Sequence, residues 1–325
     1  KTQEKTVMKI AVLDDWVECA RYCCDWSRLK RNEVSTNIEV DIFHDTLSGN
    51  TLVERLQPYD IICIMRERTQ IDARLMDQLP NLKGIITSGM RNAALDISAA
   101  KTRGIMLSGT ESPGHATAEL AFTLIAMQAR QLFTAAQSMA DGGWQTHLGR
   151  DLRGARLGIL GLGRLGEALA KYGGAFGMNV QAWSQNLTKD RCAEVGVDYV
   201  DREALFRTSD FISIHLKLSD RVRHLVGVDE LAMMQRDAYL VNTSRAPIID
   251  MQALTAALKT QKIAGAAIDV YDLEPLPSSD PLRGTNNLLM TPHIGYVTRE
   301  TMKIFYSQTL EAIEAMITGS PIRQL

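Results

Sequence analysis

The sequence predicts an α/β chain made of two doubly wound parallel sheets, with one unit inserted into the other. Three observations predict this. Short apolar runs alternate with amphipathic segments almost throughout the 325 residues, which is the rhythm of a parallel sheet covered on both faces. The rhythm restarts after residue 150, so two similar units are written in one chain, and the length suits two cores better than one. Long helical patterns stand where the chain leaves the first unit and where it returns to it.

In the first unit the spacing predicts strands over 8–13, 38–43, 61–65 and 84–87, with helices over 48–56 and 73–79 between them. The run Thr110-Glu-Ser-Pro-Gly-His115 has turn chemistry. After it, apolar residues at Leu120, Leu124, Met127 and Leu132 predict one helix over 116–140, stopped by Asp141-Gly142-Gly143. The second unit reads as strands over 156–160, 179–183, 211–215, 239–242, 263–269 and 288–290. A helix over 299–317 then returns to the first unit. The expected domains are 1–115 with 299–325, and 116–298 between them, with the two long helices acting as a hinge.

Composition removes several classes of function. Hydrophobic residues at 45% and charged residues at 23% describe a globular chain, not a disordered one. A net charge of −2 gives no reason to expect a nucleic acid or an anionic membrane as partner. The five cysteines (Cys19, Cys23, Cys24, Cys63 and Cys192) are odd in number and contain no C-x-x-C pair, so reduced thiols in the cytoplasm are expected. Residues 1–9 are polar, and no stretch approaches the roughly 18 apolar residues of a membrane helix. His44, His147 and His224 lack ligand spacing to one another or to an acid cluster, and no metal is expected.

One motif stands in a context that gives it meaning. The strand 156–160 runs into Gly161-Leu162-Gly163-Arg164-Leu165-Gly166, and a helical pattern follows. Gly161 permits a tight turn and Gly163 a close approach of backbone to a pyrophosphate. Gly166 lets the helix pack on the strand, and the phosphates rest on the helix N-terminus. A dinucleotide is the expected ligand. An acid that would hold a ribose 2′-hydroxyl is expected at the end of the next strand, but Ser184 stands there, followed by Gln185 and Asn186. Without that carboxylate a 2′-phosphate is not repelled, so the reading is NAD or NADP with a lean towards NADP. Lys189 and Arg191 follow as possible cations.

Three further features sit at strand ends. Val241-Asn-Thr-Ser-Arg245 ends a strand with an arginine, whose fork suits a carboxylate. Asp269-Val-Tyr-Asp-Leu-Glu274-Pro places carboxylates past another strand, and Thr291-Pro-His293-Ile-Gly295 puts a histidine in a loop. A histidine paired with a carboxylate is a proton donor held in its charged form, which reduction of a ketone requires beside a hydride.

These motifs, in this order, together with the segment from Ser209-Asp210 to His224, resemble the D-isomer-specific 2-hydroxyacid dehydrogenase family over nearly the whole chain. That family includes phosphoglycerate dehydrogenase and glyoxylate/hydroxypyruvate reductases. The resemblance implies a Rossmann nucleotide unit inserted into a flavodoxin-like substrate unit. It also implies hydride transfer between NAD(P)(H) and the 2-carbon of a small D-2-hydroxy acid or 2-keto acid of the glyoxylate, hydroxypyruvate or 3-phosphoglycerate type, in a cleft between the units. It gives Arg245 to substrate binding and polarisation, His293 to acid–base work and Glu274 to pairing with His293. It gives Arg66 and the turn Ser88-Gly89-Met90, through backbone N–H groups, to the substrate. Asp269 is placed near the nicotinamide carboxamide, Thr117 near a phosphate and His215 near the ribose; Thr243, Ser244 and Gly295 complete the cofactor contacts. Lys217 departs from the family's frequent proline. Arg66, Arg68 and Arg91 are candidate cations for a phosphorylated substrate. A homodimer through the nucleotide unit is implied. The same fold also serves dinucleotide-sensing corepressors, which is the alternative reading.

Overall fold

The computed structural model describes residues 7–31 and 37–325; the first six residues of the polar amino terminus lie outside them. The chain divides into two compact units, residues 1–113 with 298–325, and residues 114–297.

The first unit holds five strands: β1 (Val7–Val12), β2 (Asn37–Ile42), β3 (Ile61–Ile64), β4 (Gly84–Thr87) and β5 (Met106–Gly109). All pairs are parallel, in the order β2-β1-β3-β4-β5. This is the flavodoxin-like arrangement, with its switch point at β1/β3. Strands β3 and β4 are buried along their whole length because helices cover both faces, which is why their sequences run apolar without alternation.

The second unit holds β6 (Arg156–Leu160), β7 (Asn179–Trp183), β8 (Asp198–Tyr199), β9 (Phe211–Ile214), β10 (Tyr239–Asn242), β11 (Gly265–Ile268) and β12 (Leu288–Met290). Their order is β12-β11-β10-β9-β6-β7-β8, again all parallel, which is the Rossmann order extended by one strand. Alternate residues feed two cores. Leu157, Ile159, Phe211 and Val241 pack in one, and Leu160, Ile212, Ile214 and Leu240 in the other. The order reverses between β6 and β9, and the carboxyl ends of those strands border the ligand crevice of such a sheet.

Three expectations about elements are corrected. Strand β5 was not anticipated, since Met106-Leu-Ser-Gly109 is short and runs directly into turn chemistry. The two-residue β8 was also missed; it is exposed and carries no apolar signal. The single helix expected over 116–140 is two, His115–Arg130 and Leu132–Ala140. Gln131 adopts φ +46 between them and donates its N–H to the carbonyls of Met127 and Gln128. Neither glycine nor proline marks that break. Nine residues of helix beyond it bury no side chain, so packing does not hold the two segments in line.

Candidate active site

The glycine motif forms the turn from β6 into the helix Arg164–Ala175. Gly161 sits at φ +102, and a Cβ there would meet the carbonyl oxygen of His215 at 2.8 Å. Its N–H donates to Trp183 O at 2.9 Å, which ties the turn to the end of β7. A Cβ on Gly166 would lie 2.1 Å from Gly161 O, so the helix approaches the strand closely only because that position is bare. A Cβ on Gly163 would meet nothing within 4 Å. Gly163 is the N-cap and supplies no side-chain cap to the first turn of the helix. Open space over a helix N-terminus suits an anion.

Ser184 is half-buried and begins the turn after β7, with Gln185 and Asn186 exposed beside it. Arg191 does not stand ready for a phosphate. Its guanidinium donates to Glu167 at 2.7 Å and to Glu194 at 3.1 Å. Lys189 lies over the Tyr199 ring at 6.0 Å. Across the switch point, His215 Nε2 shares a hydrogen bond with Ser213 Oγ at 2.8 Å, and desolvation pushes its pKa down to about 4. The ring is therefore neutral at neutral pH.

At the end of β10 the buried Asn242 side chain organises the loop. Its Oδ1 accepts the N–H of Ser244 at 2.9 Å, and its Nδ2 donates to Arg245 O at 2.9 Å. Ser244 Oγ donates to Leu216 O, and Arg245 Nη1 donates to Ser244 O at 2.7 Å. Thr243 is 6% exposed, and its Oγ1 is buried without a hydrogen-bond partner among the described residues. A buried orphan hydroxyl costs stability unless a ligand engages it. With the open cradle at Gly163, it makes these residues fit a dinucleotide. Thr243→Val should raise the unfolding free energy of the free protein, or leave it unchanged, and weaken dinucleotide binding by roughly five- to tenfold. Chemical denaturation and a binding titration check the two signs. Destabilisation with unchanged affinity would count against the assignment.

His293 and Glu274 come together from the loops after β12 and β11. Nδ1 of His293 meets Glu274 Oε2 at 2.6 Å, and both side chains are largely buried, with 16% and 15% exposed. His293 adopts φ +52, a conformation a non-glycine residue keeps only where its surroundings impose it. Those surroundings are visible. Asp269, fully buried, accepts from Thr291 Oγ1 at 2.6 Å, Ile294 N at 2.8 Å and Gly295 N at 2.9 Å. Burial raises its pKa although those bonds pull it down. The Asp269 carboxylate therefore orders the histidine loop, a role the sequence reading did not assign. Thr117, expected at a phosphate, donates its hydroxyl to Gly295 O at 3.0 Å and braces the same loop.

In the first unit, Arg66, Ser88 and Gly89 lie at the carboxyl ends of β3 and β4. Arg66 N–H donates to Ser88 Oγ at 2.9 Å. Gly89 sits at φ +80, and its N–H donates to Thr110 Oγ1 at 2.8 Å. That amide is thus already engaged, as is the N–H of Ser88, which donates to Ile64 O at 3.1 Å, contrary to the expectation that both bind substrate. Met90 is 43% exposed. Arg68, a candidate for a substrate phosphate, instead donates to Asp14 O at 2.9 Å and stacks on Trp16 at 3.8 Å. Asp15 caps the segment after β1, accepting from the amides of Cys19 and Ala20. Among the described residues no group of His, Cys, Asp and Glu could hold a metal ion.

Residues 122–295 match the family model of the D-isomer specific 2-hydroxyacid dehydrogenase NAD binding domain. A glyoxylate reductase of Korarchaeum cryptofilum is 33% identical over 300 residues, covering 89% of this chain and 89% of that protein. A D-3-phosphoglycerate dehydrogenase of Archaeoglobus fulgidus is 35% identical over 282 residues, covering 85% of this chain and 53% of that protein. The crystal structure of a phosphoglycerate oxidoreductase from Vibrio cholerae superposes with a TM-score of 0.88 at 33% identity, over 96% of this chain and 99% of that one. With the glycine turn, the strand-end arginine and the paired histidine in one topology, the chain belongs to the D-isomer specific 2-hydroxyacid dehydrogenase family.

Proposed function

We propose that this chain reduces a small 2-keto acid to the D-2-hydroxy acid, with His293 as the proton donor. The observation that carries the reading is the 2.6 Å contact between His293 Nδ1 and Glu274, which leaves Nε2 as the nitrogen that hands on a proton. A nicotinamide dinucleotide, when bound, supplies the hydride. The first-turn amides of the helix Arg164–Ala175 hold its pyrophosphate. Ser184, Gln185 and Asn186 face its adenosine ribose, and Thr243, Ser244 and Gly295 line its nicotinamide half. Arg245 binds the substrate carboxylate and polarises the carbonyl, offering two parallel donors. Arg66 and the backbone N–H of Met90 in the first unit are assigned to the substrate. Glu274 holds the imidazole in the tautomer and orientation that donation needs.

The substrate is of the glyoxylate or hydroxypyruvate type. The commitment of Arg68 to Asp14 and Trp16 weakens the case for a phosphorylated one. The absence of a carboxylate at Ser184 leaves room for NADPH, while the pairing of Arg191 with Glu167 and Glu194 removes one cation that would favour it. In the nucleotide unit, Leu132, Phe133, Met139, Trp144 and Leu148 are exposed, an apolar concentration that a second copy of the chain would cover in a homodimer. None of the five cysteines is in a disulfide, which suits a reducing cytoplasm.

The test is oxidation of NADH and NADPH in parallel by the purified protein against glyoxylate, hydroxypyruvate and 3-phosphohydroxypyruvate. Turnover of either unphosphorylated acid is expected, and both dinucleotides should serve. Tight dinucleotide binding without reduction of any of the three acids would sink the proposal.

A further inference from the structure

Glu274 and His293 stand on separate loops, and Tyr271 is bonded to Glu274 and to Thr291 of the histidine loop. Its backbone N–H donates to Glu274 Oε1 at 2.9 Å, which leaves Oε2 to face His293. Its phenol donates to Thr291 O at 2.8 Å, two residues before the histidine, and approaches Ile268 O at 3.4 Å. Thr291 O also accepts the N–H of His293 at 3.0 Å, so phenol and histidine backbone share one carbonyl. The phenol is half-buried, and burial together with nearby Asp269 and Glu274 raises its pKa well above the ordinary tyrosine value. It remains a donor across the working range of pH. Asp269 anchors the far side of the histidine loop through Ile294 and Gly295.

We propose that Tyr271 is a positioning residue that sets the Glu274–His293 contact, gripping Glu274 through its main chain and the histidine loop through its hydroxyl. The proposal rests on the reading of that pair as the acid–base centre. A phenylalanine in its place keeps the ring packing and the N–H bond to Glu274 and removes only the phenol bond, so folding is retained. A net hydrogen bond of about 1 kcal/mol corresponds to roughly a fivefold effect.

The experiment reads the proton between His293 and Glu274 directly, by its low-field NMR resonance in the free protein, assigned by its loss in His293→Ala. In Tyr271→Phe that proton should exchange with water about fivefold faster, with dinucleotide affinity unchanged. With glyoxylate as substrate, kcat should fall by a similar factor while KM holds. In a Glu274→Ala background the same substitution should add nothing, because the contact it positions is already gone. A resonance with wild-type exchange in Tyr271→Phe, beside an inactive His293→Ala, overturns the proposal alone. Full additivity with Glu274→Ala does so as well. Undiminished turnover in His293→Ala overturns the acid–base reading and the proposal with it.

Discussion

Replacing His293 with alanine should lower kcat for glyoxylate reduction by about 10²- to 10⁴-fold, the usual worth of a positioned general acid. Dinucleotide affinity should stay at its wild-type value. The reason lies in the division of the second unit. The proposed pyrophosphate cradle of Gly161, Gly163 and Gly166 lies at the end of β6, whereas His293 lies beyond β12, the edge strand four places away in the sheet order. Removing the imidazole leaves Asp269 still bonded to Thr291, Ile294 and Gly295, so the loop itself should persist. Glu274→Gln should give a smaller loss of the same kind, since an amide can still accept the Nδ1 proton but does not stabilise a positive ring. Steady-state kinetics with a dinucleotide titration separate the outcomes. Weakened dinucleotide binding with intact kcat would remove His293 from the chemistry.

The second large effect is expected at Arg245. Arg245→Lys should reduce kcat/KM by about 10²- to 10³-fold, as when a preorganised donor is removed from a developing oxyanion. The charge survives but the fork does not, and a lysine cannot reproduce two parallel bonds from one rigid plane. Besides the bond from Arg245 Nη1 to Ser244 O, the backbone around it is held by Asn242, which bridges Ser244 N and Arg245 O. The loss should therefore be one of substrate recognition, with stability and dinucleotide binding retained. Equal kinetics for the lysine and arginine forms would show that a point charge suffices and would end the bidentate assignment.

How much of this was legible depended on how local each signal is. The glycine motif was readable because its three requirements concern a turn of six residues: a positive φ at Gly161, open space at Gly163 and a bare face at Gly166. The strands buried on both faces were readable for the same reason, as runs such as Ile61–Ile64 carry their environment in their composition. The break at Gln131 was not, because nothing in residues 130–132 distinguishes a helix that continues from one that loses its packing surface.

The site divides in the same way. Arg245, Glu274 and His293 were found from strand-end motifs, and their order along the chain carried the family resemblance. The pairing of Glu274 with His293 came only from that resemblance, and their other partners were not readable. The contact between Glu274 and His293 spans 19 residues and exists because β11 and β12 are neighbours in one sheet. Asp269, Thr117 and Tyr271 received other roles or none, since whether a hydroxyl meets a ligand or a carbonyl is settled by what packs against it. Arg68 and Arg191 illustrate the converse. As lone cations they could serve a phosphate, and only the fold reveals the Asp14 carbonyl and the Glu167 and Glu194 carboxylates that hold them. The sequence by itself determined the two-unit plan, the strands other than β5 and β8, and the chemistry available at their ends. The tertiary structure decided which of those groups are already bonded to one another, because hydrogen bonds form across a sheet between residues that the chain keeps far apart.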